Sequence, residues 1–120
     1  MENKEEYQIS SSMRDGFIEV VVSGNAIGSD FDEMINEVDV LLKKNNSKKV
    51  ILDIRELKGR IEPGEIYRFV RTHFPIFYEI QSVIVDLPEN ASYRTATKNA
   101  GISLMWFTDM DIARKWLASK

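Results

Sequence analysis

The sequence predicts an α/β fold, a mixed and mostly parallel five-stranded sheet with helices in the order ββαβαβαβα. Three observations lead there. Residues 7–22 read as a hairpin, three later apolar runs are strand-length, and each of those runs is followed by a segment of helical periodicity. Strands that alternate with helices pair in parallel, because each crossover returns the chain to the same end of the sheet.

The hairpin opens with Tyr7, Ile9, Ser11 and Met13 alternating with Gln8, Ser10 and Ser12. Arg14-Asp15-Gly16 separates them from Phe17-Ile18-Glu19-Val20-Val21-Val22. Asp-Gly tolerates the positive φ angles of a type I′ turn, whose twist matches that of paired strands. After a loop at 24–29, Asp30 is expected to cap a helix with Glu33 reaching back to it, a capping-box spacing. Phe31, Met34, Ile35, Val38, Leu41 and Leu42 then fall on one helical stripe, and Lys43 and Lys44 suit its negative end before Asn45-Asn46-Ser47 stops it.

Val50-Ile51-Leu52-Asp53-Ile54 is apolar without alternation, as befits a central strand covered on both faces. A second helix is expected from Pro63, where the missing N–H costs nothing, to Phe74, with Ile66, Phe69, Val70, His73 and Phe77 on one stripe running past Pro75. Residues 82–86 form the next strand. A polar, alanine-rich helix is expected over 89–100, ended by Gly101 in the left-handed region. Residues 102–107 supply the last strand, and Thr108-Asp109-Met110-Asp111 has the spacing of a capping box ahead of Ile112, Ala113, Trp116 and Leu117. No repeat, low-complexity tract or linker divides the 120 residues, so one domain over 1–120 is expected.

Composition removes several functional classes. Leu, Ile, Val and Phe make up 35 of 120 residues, enough for a core and far from the composition of disorder. Sixteen basic against nineteen acidic residues leave a net charge of -3, the wrong sign for non-specific attraction to nucleic acid or anionic lipid. With no cysteine and one histidine there is neither a thiolate nucleophile nor a multi-His metal site, so no cofactor is expected. No apolar run has the length of a secretory signal or a membrane span, and a cytoplasmic location is the expectation.

Three segments carry a family resemblance: Val50-Ile51-Leu52-Asp53-Ile54-Arg55, Ser82-Val83-Ile84-Val85-Asp86, and the ending from Trp106 to Leu117, with its strand closing in Phe, acidic turn and Ala-x-x-Trp-Leu helix. Together they resemble the SpoIIAA-like family of the STAS superfamily, in element order over nearly the whole chain. The resemblance implies a small regulatory or interaction domain. Anti-sigma-factor antagonists of that superfamily carry a switchable phosphoserine at the start of the helix after the central strand. Here residues 55–65 contain no Ser, Thr or Tyr, and Glu62 or Pro63 stands near that position, so no phosphorylation site is carried over.

Tests for other chemistry are negative. Gly59-x-x-x-x-Gly64 has phosphate-loop spacing, but Glu65 and Ile66 replace the Lys and Ser or Thr that would hold phosphate and magnesium. Asp53 and Asp86 end adjacent strands without the further acidic pair and lysine of a phospho-accepting pocket. Asp53 is expected to accept backbone or arginine hydrogen bonds. His73 lies on an apolar stripe and reads as a packed residue; no nucleophile, base and orienting group assemble, and no catalytic residue is assigned.

Two features remain as contact candidates. Arg55, Lys58, Arg60 and Glu62 lie in a stretch, 55–71, that is net +2 inside an acidic chain, and are candidate loop contacts or simply a solvated face. Five of the twelve aromatic residues crowd into 67–78. Ile66, Phe69 and Val70 suffice to face the sheet, leaving Tyr67, Phe74 and Tyr78 on another flank, as core, as a homodimer or partner surface, or as the wall of a lipophilic pocket. The expected function is a non-enzymatic regulatory or protein-interaction module. The alternative is a carrier or sensor of a lipophilic or acidic small molecule.

Overall fold

The computed structural model describes residues 7–14, 16–73, 79–102 and 104–120. β1 (Tyr7–Arg14) and β2 (Phe17–Asn25) pair antiparallel from Tyr7↔Gly24 to Arg14↔Phe17, which leaves a two-residue connection, with Gly16 at φ 83°. Asp15 lies outside the described residues. β3 (Lys49–Gly59), β4 (Gln81–Val85) and β5 (Met105–Phe107) add in parallel, giving the order β1-β2-β3-β4-β5. The mixed, mostly parallel sheet and the element order are those the sequence predicts.

Because each parallel strand adds on the same side of the last, right-handed crossovers place α1 (Ser29–Lys44), α2 (Ile66–Thr72) and α3 (Ala91–Asn99) on one face. Ile18, Val20, Val22, Val50, Ile54 and Ile84 look toward them and share a core with Phe31, Met34, Val38, Leu42, Phe69 and Val70. α4 (Met110–Ala118) has no strand to return to and crosses the opposite face, where Ala113 and Leu117 close over Phe17, Ile51, Val83 and Val85. β3 thus lies in the middle of the sheet with both faces covered, the physical reason its sequence does not alternate.

Several boundaries differ from expectation. The first helix begins at Ser29 after Gly28, and Asp30 lies inside it with no side-chain cap. The cap of α4 is Asp109, whose carboxylate accepts the N–H of Ile112 at 3.1 Å, rather than Thr108. Pro63 opens a 3₁₀ turn (Pro63–Glu65) ahead of α2, and Pro88 opens another (Pro88–Asn90) ahead of α3, because a proline ring fixes φ without requiring an α-helix to follow. Phe74, Pro75, Phe77 and Tyr78, which the sequence placed at and beyond the end of α2, lie outside the described residues. β5 is three residues long instead of six.

The largest difference is β3, which runs five residues past Ile54. Its register with β2 shifts from Val21↔Asp53 to Ser23↔Glu56, so Ile54 and Arg55 together oppose Val22. This bulge reverses which parity of residue faces the core, and Leu57 is buried where strict alternation from Ile54 would expose it. Gly59 ends the strand where Asn25 crosses: a Cβ there would lie 1.7 Å from the Asn25 Oδ1.

Candidate functional site

The four charged residues singled out from the sequence sit on β3 and the turn after it, at the carboxyl edge of the parallel strands, where open α/β sheets place their ligands and contacts. The structure separates them. Arg55 turns back on its own strand: its Nε and Nη2 donate to the two Asp53 carboxylate oxygens at 3.0 and 2.8 Å, and its backbone N–H to Oδ1 at 3.1 Å. That N–H belongs to the bulge, so Asp53 supplies the acceptor that the strand ladder does not. The hydrogen bond it donates to Asp53 holds the Arg55 guanidinium above its ordinary pKa. Asp53 is therefore a structural acceptor, as expected.

Arg60 overturns the loop-contact expectation, since its side chain is only 4 % exposed, like that of Asp86. Nη1 and Nη2 reach the Asp86 Oδ2 and Oδ1 at 2.7 and 2.8 Å, while Nη2 and Nε also donate to the carbonyls of Ile54 and Leu57 at 2.8 and 3.0 Å. Asp86 further accepts from the Leu87 N–H at 2.8 Å and the Asn90 Nδ2 at 3.0 Å. The Tyr93 ring covers the guanidinium at 5.1 Å, and its hydroxyl donates to the Ile61 carbonyl at 2.7 Å. Burial raises the Tyr93 pKa and keeps that proton in place. This network ties the end of β3 to the end of β4 and the start of α3, and its four hydrogen bonds hold the Arg60 guanidinium inside the fold.

Lys58 and Glu62 remain exposed. Lys58 stands 3.8 Å from Glu56, with both side chains about 70 % exposed, an ion pair worth little in water. Glu62 precedes the 3₁₀ turn in extended conformation, and its carbonyl accepts the N–H of Glu65 at 2.8 Å.

α2 presents two faces. Ile66, Phe69 and Val70 are buried, and Phe69 meets Phe31 edge-on with ring centroids 4.7 Å apart. Tyr67 is 59 % exposed, its ring under the Arg71 guanidinium at 5.8 Å. Tyr67 is thus not core; the other two residues proposed for this flank, Phe74 and Tyr78, are outside the described residues. His73 packs as expected, with Nε2 2.8 Å from the Asp32 Oδ1 and its ring 4.8 Å from that of Phe69. It ties α2 to α1, as does the looser contact of Arg68 with Asp32 at 3.9 Å. Between these helices and the sheet lies an apolar recess of about 70 Å³ walled by Phe31, Phe69, Leu57, Tyr93 and Trp106.

Sequence reading missed Tyr93 and the pairing of Arg60 with Asp86, which are 26 residues apart and carry no spacing signal. No group of His, Asp or Glu suited to a metal ion occurs among the described residues, and none of their helices is long and apolar enough to cross a membrane.

The hairpin-led parallel sheet, with α1, α2 and α3 on one face and the capped α4 on the other, has counterparts among solved structures. An uncharacterized protein of the DUF3478 family with a SpoIIAA-like fold, from Shewanella loihica PV-4, is 15 % identical over 98 % of both chains with a TM-score of 0.61. The fold is SpoIIAA-like. An anti-sigma factor antagonist from Mycobacterium paratuberculosis is 12 % identical over 98 % of this chain and 99 % of its own, with a TM-score of 0.68. At such identities the likeness is one of SpoIIAA-like architecture. No protein-family model matches the chain, and no curated protein does.

Proposed function

We propose that this chain is a non-enzymatic, cytoplasmic regulatory module that binds a protein partner through the outer face of α2 and the turn before it. The observation that carries the reading is Tyr67: a large aromatic residue, mostly exposed, on a helix whose other face is anchored by Ile66, Phe69 and Val70. Tyr and Arg are the residue types that dominate binding energy in protein interfaces, and Arg71 stacked on Tyr67 offers both on a rigid support. Lys58 and Glu62 would form the polar rim of that contact; Phe74 and Tyr78, the other candidates for this surface, lie outside the described residues. One structural neighbour is an anti-sigma factor antagonist, a protein whose name gives it a protein target.

With no hydroxyl in residues 55–65, Glu62 supplies a fixed negative charge in place of a phosphorylation switch. The recess beneath α2, at about 70 Å³, is well short of the roughly 300 Å³ at which small-molecule pockets begin, which favours a module over a lipophilic carrier.

Native mass spectrometry of the full chain, with a photo-crosslinking residue at Tyr67 and a control at Ser12, tests the reading. A protein adduct or second copy captured from position 67, and weakened binding in Glu62→Gln, are the expected results. A small molecule retained under α2, with no adduct at 67, would replace the module with the carrier. Unchanged partner affinity in Glu62→Gln would remove the fixed-charge role alone.

A further inference from the structure

A second feature of the carboxyl edge is independent of the α2 surface. Beyond the ends of β4 and β5 an open groove of about 260 Å³ lies between the 3₁₀ turn at Pro88, the first turn of α3 and the chain leaving β5. Its apolar wall is Trp106 with Pro88, since the Phe107 ring turns to the opposite face beside Trp116, and its polar groups are Asp86, Arg94 and Thr108. The charge of Asp86 is already spent, since Arg60, the Leu87 N–H and Asn90 occupy both carboxylate oxygens. Arg94 is exposed and makes no ion pair or hydrogen bond with any described residue. Among the described residues the groove therefore combines one indole wall with one available guanidinium and one hydroxyl.

We infer that this groove binds a small aromatic monocarboxylate, with its ring against Trp106 and Pro88 and its carboxylate on Arg94 and Thr108. The chemistry selects the ligand class. A guanidinium fork matches a carboxylate in two parallel hydrogen bonds. A phosphate dianion is ordinarily held by several cations or a nest of backbone amides, and among the described residues the groove has a single free cation. A volume just below the roughly 300 Å³ of drug-sized pockets suits one fused ring system rather than a lipid tail. Trp106 also lines the recess under α2, so its indole stands between the groove and the interior and reports on both.

The test uses the full chain, 2-naphthoate as probe and neutral 2-naphthamide as its control, followed by amide NMR and by fluorescence in a Trp116→Phe background, where Trp106 is the remaining indole. The expected result is saturable binding of naphthoate, with shifts at residues 86–94 and 106–108. Naphthamide should bind about tenfold or more weakly, as the loss of a charge-assisted hydrogen bond requires. Arg94→Gln should weaken naphthoate to the naphthamide level and leave naphthamide unchanged, and Arg94→Lys should restore part of the loss. Arg94 is exposed, and an unchanged circular dichroism spectrum separates lost binding from lost fold. No saturation at millimolar naphthoate overturns the inference, as does equal affinity for naphthamide or shifts centred on Phe69 and Val70. Saturable shifts with a peptide carrying adjacent Phe and Glu, and none with naphthoate, would overturn it in favour of peptide docking.

Discussion

Arg60 and Asp86 are withdrawn from water, and every polar contact between them and their surroundings is short and well directed. Such a pair gains little over apolar residues of the same shape, but removing one partner strands the other. Arg60→Leu and Asp86→Asn are therefore each expected to lose about 3–5 kcal/mol in urea denaturation, and the double replacement by leucine to lose less than the sum. Arg60→Lys should fail to rescue, since an ammonium cannot serve Asp86 and two carbonyls in one plane. Glu19, buried on the α4 face, makes the corresponding pH prediction. Its carboxylate accepts from the Arg114 Nη2 at 3.0 Å and lies 3.1 Å from the Arg14 Nε. The bond from Arg114, aided by both arginine charges, lowers its pKa below the ordinary 4.5 despite burial. An acid depressed on folding contributes stability above its unfolded pKa and loses it as pH falls through the folded one. Glu19→Gln should thus be less stable than the parent at neutral pH, and the gap should narrow as the pH falls below 4.5, as read from urea midpoints.

At the scale of elements, α2 shows where periodicity stops being informative. Ile66, Phe69 and Val70 were legible as the buried stripe because residues three and four apart share a helix face. Phe69→Ala should cost about 3–5 kcal/mol, whereas Tyr67→Ala should change thermal stability by less than about 0.5 kcal/mol, since the ring is mostly in water already. A large loss at Tyr67 would return it to the core. The hairpin turn and Gly101, at φ 97°, were readable from local chemistry alone. The length of β3 was not. Its bulge at Ile54 and Arg55 depends on Asp53 accepting an N–H two residues on, and Arg55 and Lys58 consequently belong to a strand and not to a loop. Both proline-led 3₁₀ turns were likewise invisible, because proline specifies a φ angle and leaves open which helix follows.

For the molecule as a whole, one indole sits on each side of the sheet: Trp106 packs into the core under α1–α3, and Trp116 beside Phe107 under α4. If the chain folds as one unit without a cofactor, variants keeping only Trp106 or only Trp116 should each report a urea transition coincident with circular dichroism, unaffected by chelator. Separated midpoints would mean that the α4 face unfolds by itself. The sequence by itself determined the element order, the mostly parallel sheet and the buried stripes of the helices, because these follow from periodicity and short-range turn chemistry. Only the tertiary structure decided what the charged residues do. Arg60 looked like a loop cation and became a buried partner of Asp86; Arg94 attracted no notice and lines the same groove as the Trp106 indole, without a partner among the described residues. Whether a charge is spent or available depends on what the fold brings within about 3 Å of it. Here those partners come from strands and turns distant along the chain, a relation that no local pattern encodes.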